Sequence, residues 1–158
     1  MLIFIIGYMG AGKTTFGKKL ASQLSYRFYD LDELIEMRHG KSITSIFNDL
    51  SEEGFREIER EILLEHLDDQ NTVIATGGGT PCFFDNMELM NQKGITVFLD
   101  IEVETIVERI LNDSKLRPLL QNIPENERFS FITRHLEERK TYYQKAKYIL
   151  PGPDLYFL

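Results

Sequence analysis

Apolar residues follow two different periods along this chain, and the two periods alternate. Short continuous apolar runs are typical of buried strands, and they predict strands at Leu2–Ile6, Arg27–Tyr29, Val73–Thr76, Thr96–Leu99 and Tyr148–Leu150. Longer stretches with apolar residues three or four positions apart predict helices at Lys13–Ser25, Leu31–His39, Ser42–Leu67, Phe83–Gln92, Glu102–Asn112 and Asn126–Ala146. We expect Gly54 to divide the long third stretch into two helices, because glycine is a poor helix former.

Strands that alternate with helices indicate a parallel sheet covered on both faces. The pattern therefore predicts an α/β fold of three layers, α/β/α, around a central five-stranded parallel sheet. A chain of 158 residues is expected to form a single domain, 1–158. In such folds ligands bind beyond the carboxyl ends of the strands, so each strand-to-helix turn is a candidate site.

Composition narrows the classes of partner and compartment. The net charge of −7 argues against nucleic acid as the main partner, and no apolar stretch is long enough to span a membrane. The only cysteine is Cys82, which excludes an internal disulfide framework, so the cytoplasm is the expected compartment. The expected state is a monomer.

A glycine-rich loop follows the first predicted strand. Residues 7 to 14 read Gly-Tyr-Met-Gly-Ala-Gly-Lys-Thr, which fits the phosphate-binding loop pattern G-x-x-x-x-G-K-[ST] between a strand and a helix. Glycines let backbone N–H groups converge on phosphate oxygens at the positive end of a helix. Lys13 can then reach the outer phosphates, and the Thr14 hydroxyl can bind Mg²⁺. The alternative is a glycine-rich turn that binds nothing. The motif predicts a nucleotide-binding protein of the P-loop NTPase fold, similar to the nucleoside monophosphate kinases.

Two carboxylates occupy the turn after the second predicted strand. In extended chain, residues i and i+2 face the same way, so Asp30 and Asp32 would project together at the ligand edge. One could hold the Mg²⁺ shell, while the other orients or deprotonates an acceptor hydroxyl. The alternative is that Asp30 serves only as a helix N-cap.

Three consecutive glycines, Gly77, Gly78 and Gly79, follow the third predicted strand. Glycine loses more conformational freedom on folding than any other residue, so a run of three needs a reason. A backbone that approaches a ligand closely would supply one, and a plain tight turn is the alternative.

Two arginines stand where apolar residues are expected. Arg139 shares one face of its helix with Ile132, Leu136 and Tyr143, and Arg56 directly follows Phe55. An arginine on a buried face needs an anion, and its guanidinium grips carboxylates in a bidentate fork. The alternative is an internal salt bridge to a glutamate such as Glu57 or Glu138.

One long irregular connection, residues 113–127, contains two prolines and several polar residues. Loops of this length are often lids over a site. We expect a lid at about residues 112–123.

The combined motifs resemble those of the shikimate kinases. The resemblance rests on the loop at 7–15, Asp30-Leu31-Asp32, Gly54-Phe55-Arg56-Glu57-Ile58-Glu59, Thr76-Gly77-Gly78-Gly79, Arg117-Pro118-Leu119-Leu120 and Glu138-Arg139. It extends to about Leu150, after which residues 151–158 depart from the family pattern, in which a further segment flanks adenine. The resemblance implies ATP-dependent phosphorylation of the 3-hydroxyl of shikimate in aromatic amino-acid biosynthesis, with one Mg²⁺.

The resemblance also implies roles for individual residues. Helices at about 31–62 would bind the acceptor. Asp30 would hold Mg²⁺ through water, and Asp32 would bind shikimate and orient or deprotonate its hydroxyl. Arg56 and Arg139 would clamp the shikimate carboxylate, with backbone contacts from Gly77–Gly79. Arg117 would close over the transferring phosphate, and Arg109 would face adenine. The residues expected to cradle the phosphates are Gly10, Ala11, Gly12, Lys13, Thr14 and Thr15.

Two other functions are compatible with the phosphate loop. Gluconate kinase and the nucleoside monophosphate kinases share the loop and the sheet but differ in acceptor residues. A non-catalytic nucleotide-dependent switch would also carry the loop, although it would not need Asp32, Arg56 and Arg139 to converge beside it.

Overall fold

Five parallel strands form the centre of the molecule. The computed structural model describes residues 1–113 and 117–152, and its strands are β1 (Leu2–Ile6), β2 (Arg27–Asp30), β3 (Thr72–Ala75), β4 (Ile95–Asp100) and β5 (Tyr148–Pro151). They are ordered β2-β3-β1-β4-β5, and every neighbouring pair is parallel. All five predicted strands are confirmed, with bounds that differ by one residue at most.

Six helices connect the strands. They are α1 (Lys13–Leu24), α2 (Leu31–His39), α3 (Ile43–Glu65), α4 (Asn86–Lys93), α5 (Val103–Leu111) and α6 (Arg128–Tyr143). The connection β1-α1-β2 runs across the sheet in the opposite direction to the other connections, so right-handed crossovers place helices on both faces. The predicted three-layer α/β/α fold is confirmed. None of the helices within the described ranges is long and apolar enough to cross a membrane.

The core lies along the three inner strands, β3, β1 and β4. Every residue of β1 and of β3 is buried, as expected for parallel strands covered on both faces. Each large side chain buried there, such as Phe4 or Ile74, stabilises the fold by about 1.5–3 kcal/mol relative to exposure. The sheet is thus a rigid base for the loops at its edge.

The interruption of the third helix was predicted at the wrong residue. The non-helical residue is Ser51, with φ 64° and ψ 176°, whereas Gly54 is helical. A Cβ on Gly54 would lie 2.7 Å from the Cβ of Leu50. The glycine is therefore needed for the close approach of Leu50 just before the break, and not for the break itself.

The strand register brings four strand ends to one edge of the sheet. Ala75 at the end of β3 pairs with Ile5 of β1 on one side and with Asp30 of β2 on the other. On its other side, β1 pairs Ile6 with Phe98 of β4. The phosphate loop, the turn after Asp30 and the three glycines therefore leave the sheet side by side.

Candidate active site

A cleft of about 760 Å³ opens at this edge of the sheet. It is bounded by the phosphate loop, the first turn of α2, the end of α5 and the connection that follows α5. Most of the predicted site residues line it: Gly10, Ala11, Gly12, Lys13, Thr14, Thr15, Asp30, Asp32, Gly78, Arg109 and Arg117. Residues predicted from four separate motifs therefore meet in one cleft.

The phosphate loop is shaped to present backbone N–H groups. Gly10 and Gly12 have φ of +82° and +89°, which residues with a side chain rarely adopt. Helix α1 begins at Lys13, and within the described residues no side chain caps its first turn. The free N–H groups and the helix dipole make this end of α1 an anion-binding site.

The Lys13 ammonium is held by the loop itself. Its Nζ donates hydrogen bonds to the carbonyl oxygens of Gly7, at 2.8 Å, and Tyr8, at 3.0 Å. Burial lowers the pKa of Lys13 to about 8, against the opposing effect of the Asp32 carboxylate. A phosphate group would raise that pKa again, because a nearby negative charge favours the ammonium.

The two carboxylate oxygens of Asp30 accept hydrogen bonds from different elements. Its Oδ1 accepts hydrogen bonds from the backbone N–H groups of Asp32, at 3.0 Å, and Glu33, at 3.3 Å, so Asp30 is the N-cap of α2. Its Oδ2 accepts a hydrogen bond of 2.5 Å from the Thr14 hydroxyl. Asp30 is therefore a helix N-cap but not only a cap, because it also binds the Thr14 hydroxyl.

Asp32 reaches the cleft from a helix and not from extended chain. It lies in the first turn of α2, so the spacing argument that paired it with Asp30 was wrong in its geometry. Both side chains still line the cleft. Burial, with the neighbouring carboxylates of Glu59 and Asp30, raises the pKa of Asp32 to about 6, while Lys13 opposes the rise.

Thr14 and Asp30 fit the part of a Mg²⁺ site that a P-loop kinase supplies. Mg²⁺ prefers oxygen ligands, keeps several waters, and is usually bound by one or two protein groups together with substrate phosphates. The Thr14 hydroxyl and the Asp30 carboxylate lie together beside the free N-terminus of α1. Across residues 1–113 and 117–152, no three His, Cys, Asp or Glu side chains could hold a metal by themselves.

Arg56 is buried in an ion pair that was only partly anticipated. Its Nη1 lies 3.0 Å from Oε1 of Glu59, one helical turn away, and not beside Glu57. The guanidinium also stacks near the ring of Phe83, 4.3 Å from its centroid. Its Nε is buried 4.0 Å from Oε1 of Glu52, and among the described residues it has no hydrogen-bond partner. The charge of Arg56 is thus balanced by a carboxylate of the protein, while its Nε makes no hydrogen bond among the described residues.

Glu59 is a site residue to which the sequence analysis gave no role. It is fully buried and holds Arg56 with one oxygen, while its Oε2 accepts a hydrogen bond of 2.8 Å from the Thr80 hydroxyl. Its charge also helps to raise the pKa of Asp32. Two signals in the sequence could have identified it: its spacing of three residues from Arg56 on one helix, and its place in the segment 54–59 that resembles the shikimate kinases.

Arg139 is buried in a different electrostatic setting. Among the described residues no carboxylate oxygen lies within 4.0 Å of its guanidinium, so the predicted alternative of a salt bridge to Glu138 is not observed. The guanidinium lies 5.9 Å from the centre of the Tyr8 ring and next to Gly78. A buried cation without an anion is a site that favours an anionic ligand.

The three glycines are required by what packs against them. A Cβ on Gly77 would lie 2.9 Å from Oε2 of Glu59, and one on Gly78 would lie 3.4 Å from Nη1 of Arg139. A Cβ on Gly79 would overlap the guanidinium of Arg56. The glycine segment is therefore packed against both arginines and Glu59, whereas its close approach to a ligand remains a prediction.

The remaining two predicted cations lie at the mouth of the cleft. Arg109, in the last turn of α5, donates a hydrogen bond of 3.0 Å to the carbonyl oxygen of Gly10. Arg117 lies 4.0 Å from Asp113 and is 43 % exposed. Within the predicted lid, 112–123, Pro118–Leu120 forms one 3₁₀ turn, and residues 114–116 lie outside the described residues.

The fold and the cleft together define a small P-loop kinase. The parallel sheet carries a phosphate loop after β1, a carboxylate of raised pKa faces it, and two buried arginines lie against the glycine segment that follows β3. A statistical model of the shikimate kinase family matches residues 9–152. The chain belongs to the shikimate kinase family, whose members are phosphotransferases.

Similar proteins agree with this assignment. A shikimate kinase of Phocaeicola vulgatus is 48% identical over 153 residues, which are 97% of this chain and 87% of that protein. The crystal structure of shikimate kinase from Bacteroides thetaiotaomicron superimposes with a TM-score of 0.91 at 45% identity, covering 99% of this chain and 89% of that chain. Shikimate kinase from Acinetobacter baumannii in complex with shikimate gives a TM-score of 0.89 at 37% identity, covering 96% and 83%.

Proposed function

We propose that this protein transfers the terminal phosphoryl group of ATP to the 3-hydroxyl of shikimate, giving shikimate 3-phosphate and ADP. The observation that carries the proposal is the convergence of a phosphate loop, Asp32 and two buried arginines at one edge of the sheet. Family membership supports the same activity.

On the nucleotide side, the loop from Gly10 to Thr15 binds the phosphates of ATP. The backbone N–H groups at the start of α1 donate hydrogen bonds to the phosphate oxygens, and Lys13 moves from its carbonyl partners to the outer phosphates. Arg109 lies against Gly10 at the mouth of the cleft, where it can face the adenine.

Thr14 and Asp30 hold one Mg²⁺, the Thr14 hydroxyl directly and the Asp30 carboxylate through water. When bound there, the ion neutralises charge on the phosphate oxygens. The 2.5 Å hydrogen bond between the two side chains keeps both oxygens at the end of α1, close to where the phosphates bind.

On the acceptor side, Arg56 and Arg139 bind the carboxylate of shikimate, and the backbone of Gly77–Gly79 contacts the substrate. Within the described part of the chain, Arg139 is buried without a carboxylate partner, so it gains most from an added anion, and Arg56 can bind the same anion in addition to its pair with Glu59. Glu59 keeps Arg56 in place through their 3.0 Å ion pair.

Asp32 binds the shikimate hydroxyls and takes the proton from the attacking one. Its pKa of about 6 leaves it ionised near pH 7 and still close to the value at which a base works best. Arg117 closes over the transferring phosphate from the connection after α5, where it can stabilise the charge that develops.

The assay that tests this proposal follows ADP release with Mg·ATP and one acceptor at a time. Shikimate should give rapid turnover, whereas gluconate and nucleoside monophosphates should give none above background. ADP release with gluconate alone would identify a gluconate kinase, and no acceptor-dependent release would favour a nucleotide switch. Shikimate turnover that survives unchanged in Asp32→Asn would remove Asp32 from the mechanism.

We also propose that the chain works as one domain, as a monomer and in the cytoplasm. The site residues named above come from elements of one chain, which supports this proposal. Sedimentation at the concentration used for the assay should give a mass near 18.4 kDa.

A further inference from the structure

Tyr8 occupies a position that the phosphate-loop pattern leaves free. The pattern fixes Gly7, Gly12, Lys13 and Thr14 and accepts any residue between the first two, so phosphate binding alone does not explain a tyrosine there. The side chain is nevertheless fully buried, at 0% exposure. A buried hydroxyl without a hydrogen-bond partner is destabilising, so the contacts of the Tyr8 hydroxyl indicate the role of this side chain.

The Tyr8 hydroxyl is bonded to the helix that carries the acceptor arginine. A hydrogen bond of 2.8 Å joins it to Nδ1 of His135 in α6, and the two rings meet edge to face at 77°. Phe131 stacks on the other side of the imidazole, with 5.3 Å between ring centroids. Burial lowers the pKa of His135 to about 4, so the imidazole is neutral at physiological pH, and its Nδ1 accepts from or donates to the hydroxyl according to the tautomer.

His135, Arg139 and Tyr143 are spaced four residues apart, so they share one face of α6. This face is anchored at both ends: His135 bonds to Tyr8, and the Tyr143 hydroxyl donates to the carbonyl oxygen of Gly78 at 2.5 Å. Arg139 lies between the two anchors, against Gly78 and the ring of Tyr8.

Tyr8 also touches the nucleotide side of the cleft. Its carbonyl oxygen accepts a hydrogen bond of 3.0 Å from Lys13, while its ring lies 5.9 Å from the guanidinium carbon of Arg139. Tyr8 therefore lies between Lys13, which is proposed to bind the phosphates, and Arg139, which is proposed to bind the acceptor carboxylate.

We propose that Tyr8 and His135 are positioning residues for acceptor binding, and that their hydrogen bond fixes Arg139 relative to the phosphate loop. The inference rests on the proposed function of Arg139 as a ligand of the shikimate carboxylate. Neither residue touches the substrate. They act by holding α6 at the distance from Lys13 that places both substrates for transfer.

The test removes the hydroxyl and keeps the ring. In Tyr8→Phe the dissociation constant for shikimate, measured by calorimetry, should rise about three- to tenfold, the range for loss of one neutral hydrogen bond. The dissociation constant for ADP should stay within about twofold, because the backbone of the loop is unchanged. In turnover, KM for shikimate should rise while KM for ATP does not. Tyr142→Phe is the matched control, since Tyr142 lies on the same helix with its ring partly exposed.

A double-mutant cycle separates positioning from general packing. His135→Phe keeps a ring against Phe131, and it should weaken shikimate binding about as much as Tyr8→Phe. The double variant should be no weaker than either single variant, because both break the same bond. Losses that multiply, or a lower melting temperature with unchanged shikimate affinity, would overturn the proposal.

Arg139→Ala, measured beside these variants, distinguishes the two ways of failing. If Arg139→Ala leaves shikimate affinity unchanged, the proposed role of Arg139 fails and the inference fails with it. If Arg139→Ala weakens binding strongly while Tyr8→Phe and His135→Phe do not, only the positioning inference fails.

Discussion

Lys13 on the nucleotide side of the cleft is held by the carbonyl oxygens of its own loop, whereas Arg56 on the acceptor side is held by the carboxylate of Glu59. The phosphate loop of the nucleotide side is contiguous in sequence, half-buried and shaped by its backbone. The acceptor side is assembled from α3, the glycine segment and α6, and its charged side chains are buried. The charge of Lys13 can therefore be removed with little loss of stability, whereas the buried charges of Arg56 and Glu59 contribute to the stability of the fold.

The two acceptor arginines sharpen this difference. Arg56 has a buried counterion, and Arg139 has no carboxylate within 4.0 Å among the described residues. Arg139 is therefore the cation whose charge is left for the ligand, and Arg56 is shared between the ligand and the fold. The largest expected effects follow from this distinction.

Arg56→Ala and Arg139→Ala should each weaken shikimate binding by about 2–5 kcal/mol, because the carboxylate loses a buried partner. Only Arg56→Ala should also lower the free energy of unfolding, by about 3–5 kcal/mol, since Glu59 is left buried and unpaired. Calorimetry with shikimate and denaturant titration measure the two quantities. Unchanged shikimate affinity in both variants would make the arginines structural, and equal losses of stability would remove the distinction between them.

Lys13→Met should leave the fold intact and reduce kcat by about 10²–10³-fold, as for other lost electrostatic donors at a transition state. The native partners of Lys13 are two carbonyl oxygens that solvent or the loop can satisfy, so the melting temperature should hardly change. Lys18→Met, on the same helix but exposed, is the control. Turnover within a few-fold of wild type would contradict the role of Lys13.

Arg117→Ala should lower kcat by about 10²-fold if Arg117 stabilises the transferring phosphate. Shikimate binding without ATP should barely change, because the acceptor arginines lie elsewhere. Protease cleavage within residues 112–123 should fall when ATP and shikimate are both present, as expected of a closing lid. Near-normal turnover together with cleavage that ligands do not alter would exclude Arg117 from the mechanism.

The phosphate loop was easier to predict from the sequence than the acceptor residues, because the loop is local and the acceptor residues come from separate elements. The phosphate loop is a local motif, so its pattern alone identifies Gly10–Thr15, and helical periodicity puts Arg139 on a buried face. Glu59 was missed because a glutamate within a helix is normally solvated, and only tertiary packing against Thr80 and Gly77 reveals its burial. The extended-chain prediction for Asp32 was wrong because the residue at which β2 gives way to α2 depends on the cap at Asp30, a structural detail.

The helix break shows the same limit. A glycine was the expected residue, but the helix is interrupted at Ser51, which is exposed and has a φ of 64°. Local propensity thus located the interruption to within three residues and named the wrong one. Predictions that depend on contacts between distant segments are those that the sequence alone could not make.

The pH dependence of kcat/KM tests both sides at once. Asp32 has a pKa raised to about 6, so activity should fall about tenfold per pH unit below that value, as the carboxylate gains the proton that disables it as a base. Lys13 has a pKa lowered to about 8, so activity should also fall above that value, as the ammonium loses its charge. In kcat at saturating ATP the basic limb should move upward, because bound phosphates favour the ammonium. A profile that stays flat from pH 5 to 7 would contradict Asp32 as the base, and the acidic limb should vanish from the residual activity of Asp32→Asn.

The smallest expected effect is at the mouth of the nucleotide side. Arg109 is exposed and bonded to the loop only through the carbonyl oxygen of Gly10, so its removal should not disturb the fold. If it faces adenine, Arg109→Ala should raise KM for ATP by about two- to fivefold, which corresponds to a stacking contribution of about 0.5–1 kcal/mol at an exposed site. KM for shikimate should not change, because the acceptor pocket is built from other elements. Arg27→Ala is the control, since Arg27 begins β2 at the opposite edge of the sheet. An increase in KM for shikimate as large as that for ATP would mean that the two sides of the cleft are not separable at this residue.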